Sequence, residues 1–373
     1  MKKRAAVILT LLMVFVLCAC ASPANAGSAV ETEAPKDETV PAADLAGEYD
    51  ITVWVPETIT DLTFRQIDDF NAINADGILF HATVQPMEET AAARRLTADP
   101  KTEVDLFCFT QERLDSLTKA GALDSPDEAD SEAVIAANDA DAVDAASAEG
   151  RLYAYPLTAD NGFLLYYDKA VIPEEDLSSL GKLLEDCKAA GKRFAMESES
   201  NPSYIASWFF GTGCVSEWET DSNGAFLSLK DTFASPQGLI AARGLKELLS
   251  SKSFVNSSDV GALNSGCAAV ISTVDGYSAA ADILGENLGT AELPSFEVDG
   301  EEYHLGSFSG FRMLGVRPQE DSRRAAALHR LAQYLSDEQG QLERFYEVSW
   351  GPSNLAALAN ETVGSHPAIA AVM

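Results

Sequence analysis

Residues 150–168 read GRLYAYPLTADNGFLLYYD, and the fold is decided by how this stretch is read. Two aromatic and β-branched runs, Arg151 to Pro156 and Phe163 to Tyr167, flank a polar break at Thr158-Ala-Asp-Asn-Gly162. The alternation and the turn residues predict two short strands joined by a sharp bend. Gly162 lets the backbone turn tightly, and the break sets a carboxylate (Asp160) and an amide (Asn161) beside it. Tyr153, Tyr155, Tyr166 and Tyr167 crowd around it. Two readings fit these residues. One is a plain β-hairpin with core tyrosines; the other is a strand pair that crosses between two lobes and acts as their hinge.

Upstream, residues 1–20 stand apart from the fold. Lys2, Lys3 and Arg4 precede the apolar run AAVILTLLMVFVL, which is too short and too close to the terminus for a stable membrane span. The run ends in Leu17-Cys18-Ala19-Cys20, which resembles the lipobox of bacterial lipoprotein signals. That resemblance implies cleavage before Cys20 and acylation of its thiol and new amine. Each acyl chain adds about 0.8 kcal/mol per buried CH₂, so several chains anchor stably. The other reading is a spacer-type signal peptide cut near Ala24-Asn-Ala26. Residues 21–49 are rich in Ala, Pro, Glu and Thr without a core pattern, and are expected to be a disordered tether.

The remaining chain, roughly 320 residues, is long enough for two lobes. The formal net charge is −32, and loss of Lys2, Lys3 and Arg4 makes it more negative still. Such a surface repels nucleic acid and anionic membrane faces and suits an extracytoplasmic location. Cys108, Cys187, Cys214 and Cys267 are scattered and imply neither a disulfide nor a metal knot.

Ile51 to Val55 reads as a first strand, with helical spacing of Leu62, Phe64, Ile67, Phe70 and Ile73 after it. Ile78 to Val84 and Val104 to Phe109 are further strands, separated by a helix over 88–99 and followed by one over 111–120. This alternation predicts α/β lobes, each a mostly parallel sheet flanked by helices, with ligands at the carboxyl ends of the strands. Asp124 to Glu149 holds nine acids and no Lys or Arg. Its spacings fail the calcium-loop pattern, so a solvated acidic helix face is expected. Beyond the 150–168 stretch, helices are expected over 176–191, from Pro202, from Ser235-Pro236 to Ser250, and over 321–336 and 337–347. Strands are expected at 193–196, 266–272, 288–294 and 306–316.

In their order these pieces resemble the extracellular solute-binding proteins of sugar ABC importers, close to the maltose/maltodextrin-binding type. The resemblance runs from about Tyr49 to Met373 and is carried by ITVWVPE, VDLFCFTQERLDSLTKAGAL, GRLYAYPLTADNGFLLYYDKAVIPEE, NPSYIASWFF, GCAAVISTVDGYS, LPSF and LSDEQGQLERFYEVSWGPSNLAAL. It implies a two-lobed periplasmic-binding fold of the second type. The first lobe would span 50–157 plus about 311–350, and the second 158–310 plus about 351–373. Crossing hinge strands would lie near Pro156 to Gly162 and near Phe308 to Gly315. The family usually continues past HPAIAAVM with further helices, so the second lobe is expected to lack its last ones. The resemblance also implies a carbohydrate held in the interlobe cleft and delivered to a membrane permease, by a monomer without cofactor or metal. Position by position, the ligand-binding residues would be Phe109 and Glu112 from the first lobe, Asp160 and Asn161 in the crossing, and Tyr204, Trp208 and Tyr277 from the second. Trp54 is a weaker candidate. Flat aromatics bury the C–H faces of a pyranose, and carboxylates and amides bond its hydroxyl rim.

Enzyme motifs fail. Gly306-Ser-Phe-Ser-Gly310 has Phe308 where a nucleophile elbow needs Ser. Gly211-Thr-Gly213 has Ser216 where a dinucleotide fingerprint needs its third Gly. His81, His304, His329 and His366 are too dispersed for a triad or metal site. A surface glycoside hydrolase would need paired carboxylates, and Asp160 with Glu112 is the pair on offer. The same fold could instead bind a polyamine, peptide or iron chelate. An anionic ligand would want an Arg, and none stands among the candidate cleft residues.

Overall fold

The two runs of the 150–168 stretch enter different sheets, so they form a crossing and not a hairpin. The computed structural model describes residues 45–99, 101–159, 162–220, 226–307 and 310–372. Ten strands build the two sheets: β1 (Gly47–Val55), β2 (Ile78–Pro86), β3 (Leu106–Thr110), β4 (Tyr155–Pro156), β5 (Phe163–Asp168), β6 (Arg193–Met196), β7 (Phe254–Asn256), β8 (Cys267–Thr273), β9 (Leu288–Ala291) and β10 (Arg312–Val316). The first lobe holds a five-stranded sheet in the order β2-β1-β3-β10-β4, and the second a five-stranded sheet in the order β7-β6-β8-β5-β9.

Both sheets are mixed, not mostly parallel. β1 runs parallel to β2 and β3, whereas β10 is antiparallel to both β3 and β4. In the second sheet β7, β6 and β8 are parallel, and β5 and β9 are antiparallel to their neighbours. The reversed strands β5 and β10 are those the chain enters directly after a crossing. A chain that leaves one sheet at its crossing edge must enter the other from that same edge, and so runs against the strands that end there. β3 and β5 are buried along nearly their whole length, the mark of strands covered on both faces. Helix Thr60–Ile73 buries Leu62, Ile67 and Phe70, and helix Ser322–Leu335 buries Leu328, Leu331 and Leu335.

The ordered fold starts earlier than the tether expectation allows. β1 begins at Gly47, Leu45 is buried, and the Tyr49 hydroxyl donates to the Leu45 carbonyl at 2.9 Å. Tyr49, Ile51 and Val53 alternate onto the core face, which draws the last residues of the 21–49 segment into the sheet. The acidic stretch forms helices Glu128–Ala137 and Ala140–Ala145, N-capped by Asp127 and Asp139. Among the described residues no group of three or more His, Cys, Asp or Glu is placed to hold a metal. No described helix is long and apolar enough to cross a membrane. Cys108, Cys187, Cys214 and Cys267 are buried free thiols.

Two elements have no counterpart in the sequence reading: the antiparallel ribbon of Ser216–Thr220 and Phe226–Asp231, and the hairpin of Ser295–Val298 and Glu301–His304. A third is the run of short helices Leu355–Leu358, Glu361–Gly364 and Pro367–Ala370, whose Ala357, Val363 and Ile369 join a core cluster of the second lobe.

Among the described residues, three passages between the lobes are marked by hydrogen bonds. Leu157 N–H donates to the Arg312 carbonyl at 2.8 Å, which laces the first crossing to the second. At the second-lobe end, Ser307 Oγ accepts from Phe163 N–H at 2.7 Å. The third passage is Ser349 to Asn354, where Ala159 N–H donates to the Gly351 carbonyl at 3.0 Å. Gln341, fully buried on helix Glu338–Val348, ties these pieces together. Its amide nitrogen donates to the carbonyls of Pro156 (3.1 Å) and Ser336 (2.8 Å), and its oxygen accepts from the backbone N–H groups of Ser353 (2.7 Å) and Asn354 (3.0 Å). Losing that side chain strands several buried polar groups, each costing about 1–3 kcal/mol. Gln341→Ala is therefore expected to destabilise the protein by at least about 3 kcal/mol in urea unfolding. A loss under about 1 kcal/mol would show that water replaces the amide.

Candidate functional site

Topology fixes where the site lies. Thr110, the last residue of β3, pairs with Arg312, the first residue of β10 after its crossing. Thr273, the last residue of β8, pairs with Phe163, the first residue of β5 after its crossing. The carboxyl ends of the parallel strands in both sheets therefore meet at the crossings, where open α/β sheets hold their ligands. Glu89 and Glu112 follow β2 and β3 at the first-lobe edge, while Glu197, Asp275 and Tyr277 follow β6 and β8 at the second.

Arg312 spans these edges. Its Nε donates to Glu89 Oε1 at 3.1 Å and its NH2 to Asp275 Oδ2 at 3.1 Å. Its guanidinium carbon lies 4.4 Å from the centre of the Trp350 ring, a cation–π contact. Burial pushes the Glu89 carboxyl up, and Arg312 opposes that shift. Asp275 Oδ1 in turn accepts from Thr273 Oγ1 at 2.5 Å.

Beyond β6, the Glu197 carboxylate folds back on its own loop. Its Oε1 accepts from the backbone N–H groups of Ser198 (3.0 Å), Glu199 (2.6 Å) and Ser200 (2.8 Å), the bonds that hold its pKa below the ordinary glutamate value.

The sequence-predicted residues divide. Glu112 stands on the first-lobe edge, largely exposed, accepting from Thr110 Oγ1 at 2.5 Å. Tyr277 opens helix Tyr277–Leu284 at the second-lobe edge, half-buried, edge-on to His366 with centroids 4.3 Å apart. Asp160 and Asn161 lie outside the described residues, as does Cys20. Three aromatics are corrected to the core. Phe109 lies within β3, fully buried against Phe107, because helices cover both faces of that strand. Trp208 is fully buried against Phe296, on the inward face of helix Pro202–Gly211. Tyr204, on the same helix, is buried and stacked on Phe163 at 4.0 Å, and burial pushes its phenol up to about 12. Trp54 is also buried, its Nε1 donating to Gln85 Oε1 at 3.1 Å. Sequence reasoning missed Arg312, Glu89, Asp275 and Trp350. Arg312 falls inside the expected 308–315 crossing and Glu89 just after the second strand, so position was their available signal.

Residues 65–371 match the family described as bacterial extracellular solute-binding protein. The chain belongs to that family. The solute-binding chain also superposes on solved structures. One solved with acarbose has a TM-score of 0.74 and 26% identity, over 87% of this chain and 84% of that one. A maltodextrin-binding protein from L. casei BL23, without ligand, has a TM-score of 0.72 and 22% identity, over 88% and 85%. A maltotriose-binding protein from Thermus thermophilus, bound to maltotriose, has a TM-score of 0.69 and 17% identity, over 86% and 85%. No curated protein is matched by sequence.

Two expectations follow. Trp208→Ala leaves a large cavity and should cost about 3–5 kcal/mol in chemical denaturation; a loss under about 1 kcal/mol would contradict its core placement. For Glu197, a lowered folded-state pKa means stability present above the ordinary value of 4.5 and lost as pH falls through the folded value. The parent should therefore lose more stability than Glu197→Gln as urea unfolding is repeated from pH 5 downward, and parallel pH profiles would refute the assignment.

Proposed function

We propose that this solute-binding protein captures a carbohydrate, of the maltose/maltodextrin type, between its lobes and delivers it intact to an ABC permease. The observation that carries the reading is the superposition at 26% identity on a protein solved with acarbose, a likeness that covers most of both chains. The maltodextrin-binding and maltotriose-binding neighbours support the same class. Glu112, Tyr277 and the Asp160-Asn161 pair are the proposed ligand contacts. The carboxylate and amides would bond the hydroxyl rim, and Tyr277 would cover a sugar face. Arg312 does not argue for an anionic ligand, because Glu89 and Asp275 already engage its guanidinium.

The protein does no chemistry on its ligand in this reading. It is a monomer held outside the cell membrane by lipid on Cys20, with residues 21–44 as the tether. The lipobox-like Leu17-Cys18-Ala19-Cys20 supports the anchor, and the family supports the extracytoplasmic location.

Isothermal calorimetry against a panel of malto-oligosaccharides and other glycans is expected to give saturable binding, with the sugar recovered uncleaved by chromatography. Tyr277→Ala and Asp160→Ala should each weaken binding about tenfold or more while leaving the unfolding midpoint nearly unchanged. Time-dependent cleavage would move the reading to a hydrolase, and a flat sugar panel with a polyamine or peptide response would change the ligand class. Unchanged affinity in both variants would overturn the contacts.

A further inference from the structure

The Arg312 side chain is attached to one lobe and bonded to both. Its backbone is part of the first-lobe sheet through β10, and its N–H donates to Thr158 Oγ1 at 3.2 Å. Glu89, its first carboxylate, opens helix Glu89–Ala98 of the same lobe and is about as secluded as Arg312 itself. Arg312 and Glu89 therefore move as one body, with the guanidinium further held by the face of Trp350. Asp275 belongs to the other lobe, at the end of β8, with one carboxylate oxygen held by Thr273 and the other turned to Arg312. Among the described contacts of the guanidinium, the one to Asp275 joins the two lobes and depends on how they stand to each other.

From this we infer that Arg312 is a positioning residue for lobe closure: its bond to Asp275 is a latch that favours the approach of the two carboxyl-end edges before any ligand arrives. The inference rests on the reading that solute is captured between the lobes, but the latch itself needs no ligand. Two features suit it to this role. Only a planar, forked guanidinium can reach carboxylates on both sides while lying flat on an indole, so Lys is no substitute. The Asp275 carboxylate is partly exposed, so the bond is one that water can replace when the lobes part. A bond made in one arrangement and lost in the other shifts the population between them. Ligand affinity then rises with the fraction of protein already in the competent arrangement.

The test is a distance measurement on ligand-free protein. Nitroxides on Glu57→Cys and Glu199→Cys, exposed positions on the two facing edges, report the lobe separation by double electron–electron resonance. Asp275→Asn, nearly isosteric, and Arg312→Lys should each raise the proportion of long distances relative to short ones about tenfold, within the usual range of coupling between sites. Asp299→Asn, which removes the exposed pair with Arg243 elsewhere on the second lobe, should change nothing. Distributions of the parent, Asp275→Asn and Arg312→Lys that superimpose would overturn the latch, as would an equal shift in Asp299→Asn. Unchanged circular dichroism and unfolding midpoints separate a moved equilibrium from a misfolded variant. Because no sugar is present, a flat carbohydrate panel would sink the ligand assignment and leave this result standing.

Discussion

Everything between the lobes depends on one buried amide. Gln341 presents its nitrogen to the carbonyl of Pro156 on the first crossing and its oxygen to the backbone at Ser353 and Asn354 on the third. Asn138 closes the group, accepting from Ser353 Oγ at 3.0 Å. A fully satisfied buried network of this kind is stiff and specific, since any displacement leaves polar atoms without water or partner. Helix Glu338–Val348, which carries Gln341, also sends Leu342 and Phe345 into the second-lobe core. Arg344 of the same helix donates to Gln66 of the first lobe at 3.0 Å. One helix thus belongs to both halves, and the amide holds it in register.

The crossings and the site follow from that anchoring. With the first and third passages fixed side by side, the second is laced to them through Leu157 and Arg312. The antiparallel strands then have no choice of edge, and the carboxyl ends of the parallel strands gather around the seam. Polar and charged residues collect there because this is where backbone ends and side chains cannot be covered by helices. The same geometry explains why the buried aromatics lie elsewhere: they sit one layer back, stabilising the strands that present the edge.

Much of this was legible in the sequence. The α/β alternation and most element positions could be read from periodicity and turn residues, because β-branched runs and capped amphipathic helices carry strong local signals; the crossing at 150–168 followed from its place between two α/β halves and from the family resemblance. Tyr277 and Glu112 were placed at the edges by the resemblance to the solute-binding family. Aromatics were harder. Tyr204 and Trp208 share helix Pro202–Gly211 with the less buried Phe209 and Phe210, and a helix apolar on nearly all sides does not announce which side faces inward. Phe109 was misread because it stands one residue inside the end of its strand, where a single step separates core from cleft. The Glu89–Arg312–Asp275 bridge joins Arg312 to residues 223 and 37 positions away, and no local pattern encodes it.

The four buried thiols carry a consequence for the protein's life outside the cell. Extracytoplasmic space is oxidising, and small proteins there commonly secure themselves with disulfides. Here burial raises the Cys108 thiol far above its ordinary range and brings Cys187 up to about 12, so neither offers a thiolate to an oxidant. The four described thiols are all secluded in the folded protein. Unfolding, by contrast, exposes these four sulfurs, none of which has a disulfide partner among the described residues. Access of an oxidant to these sulfurs is thus set by whether the chain is folded.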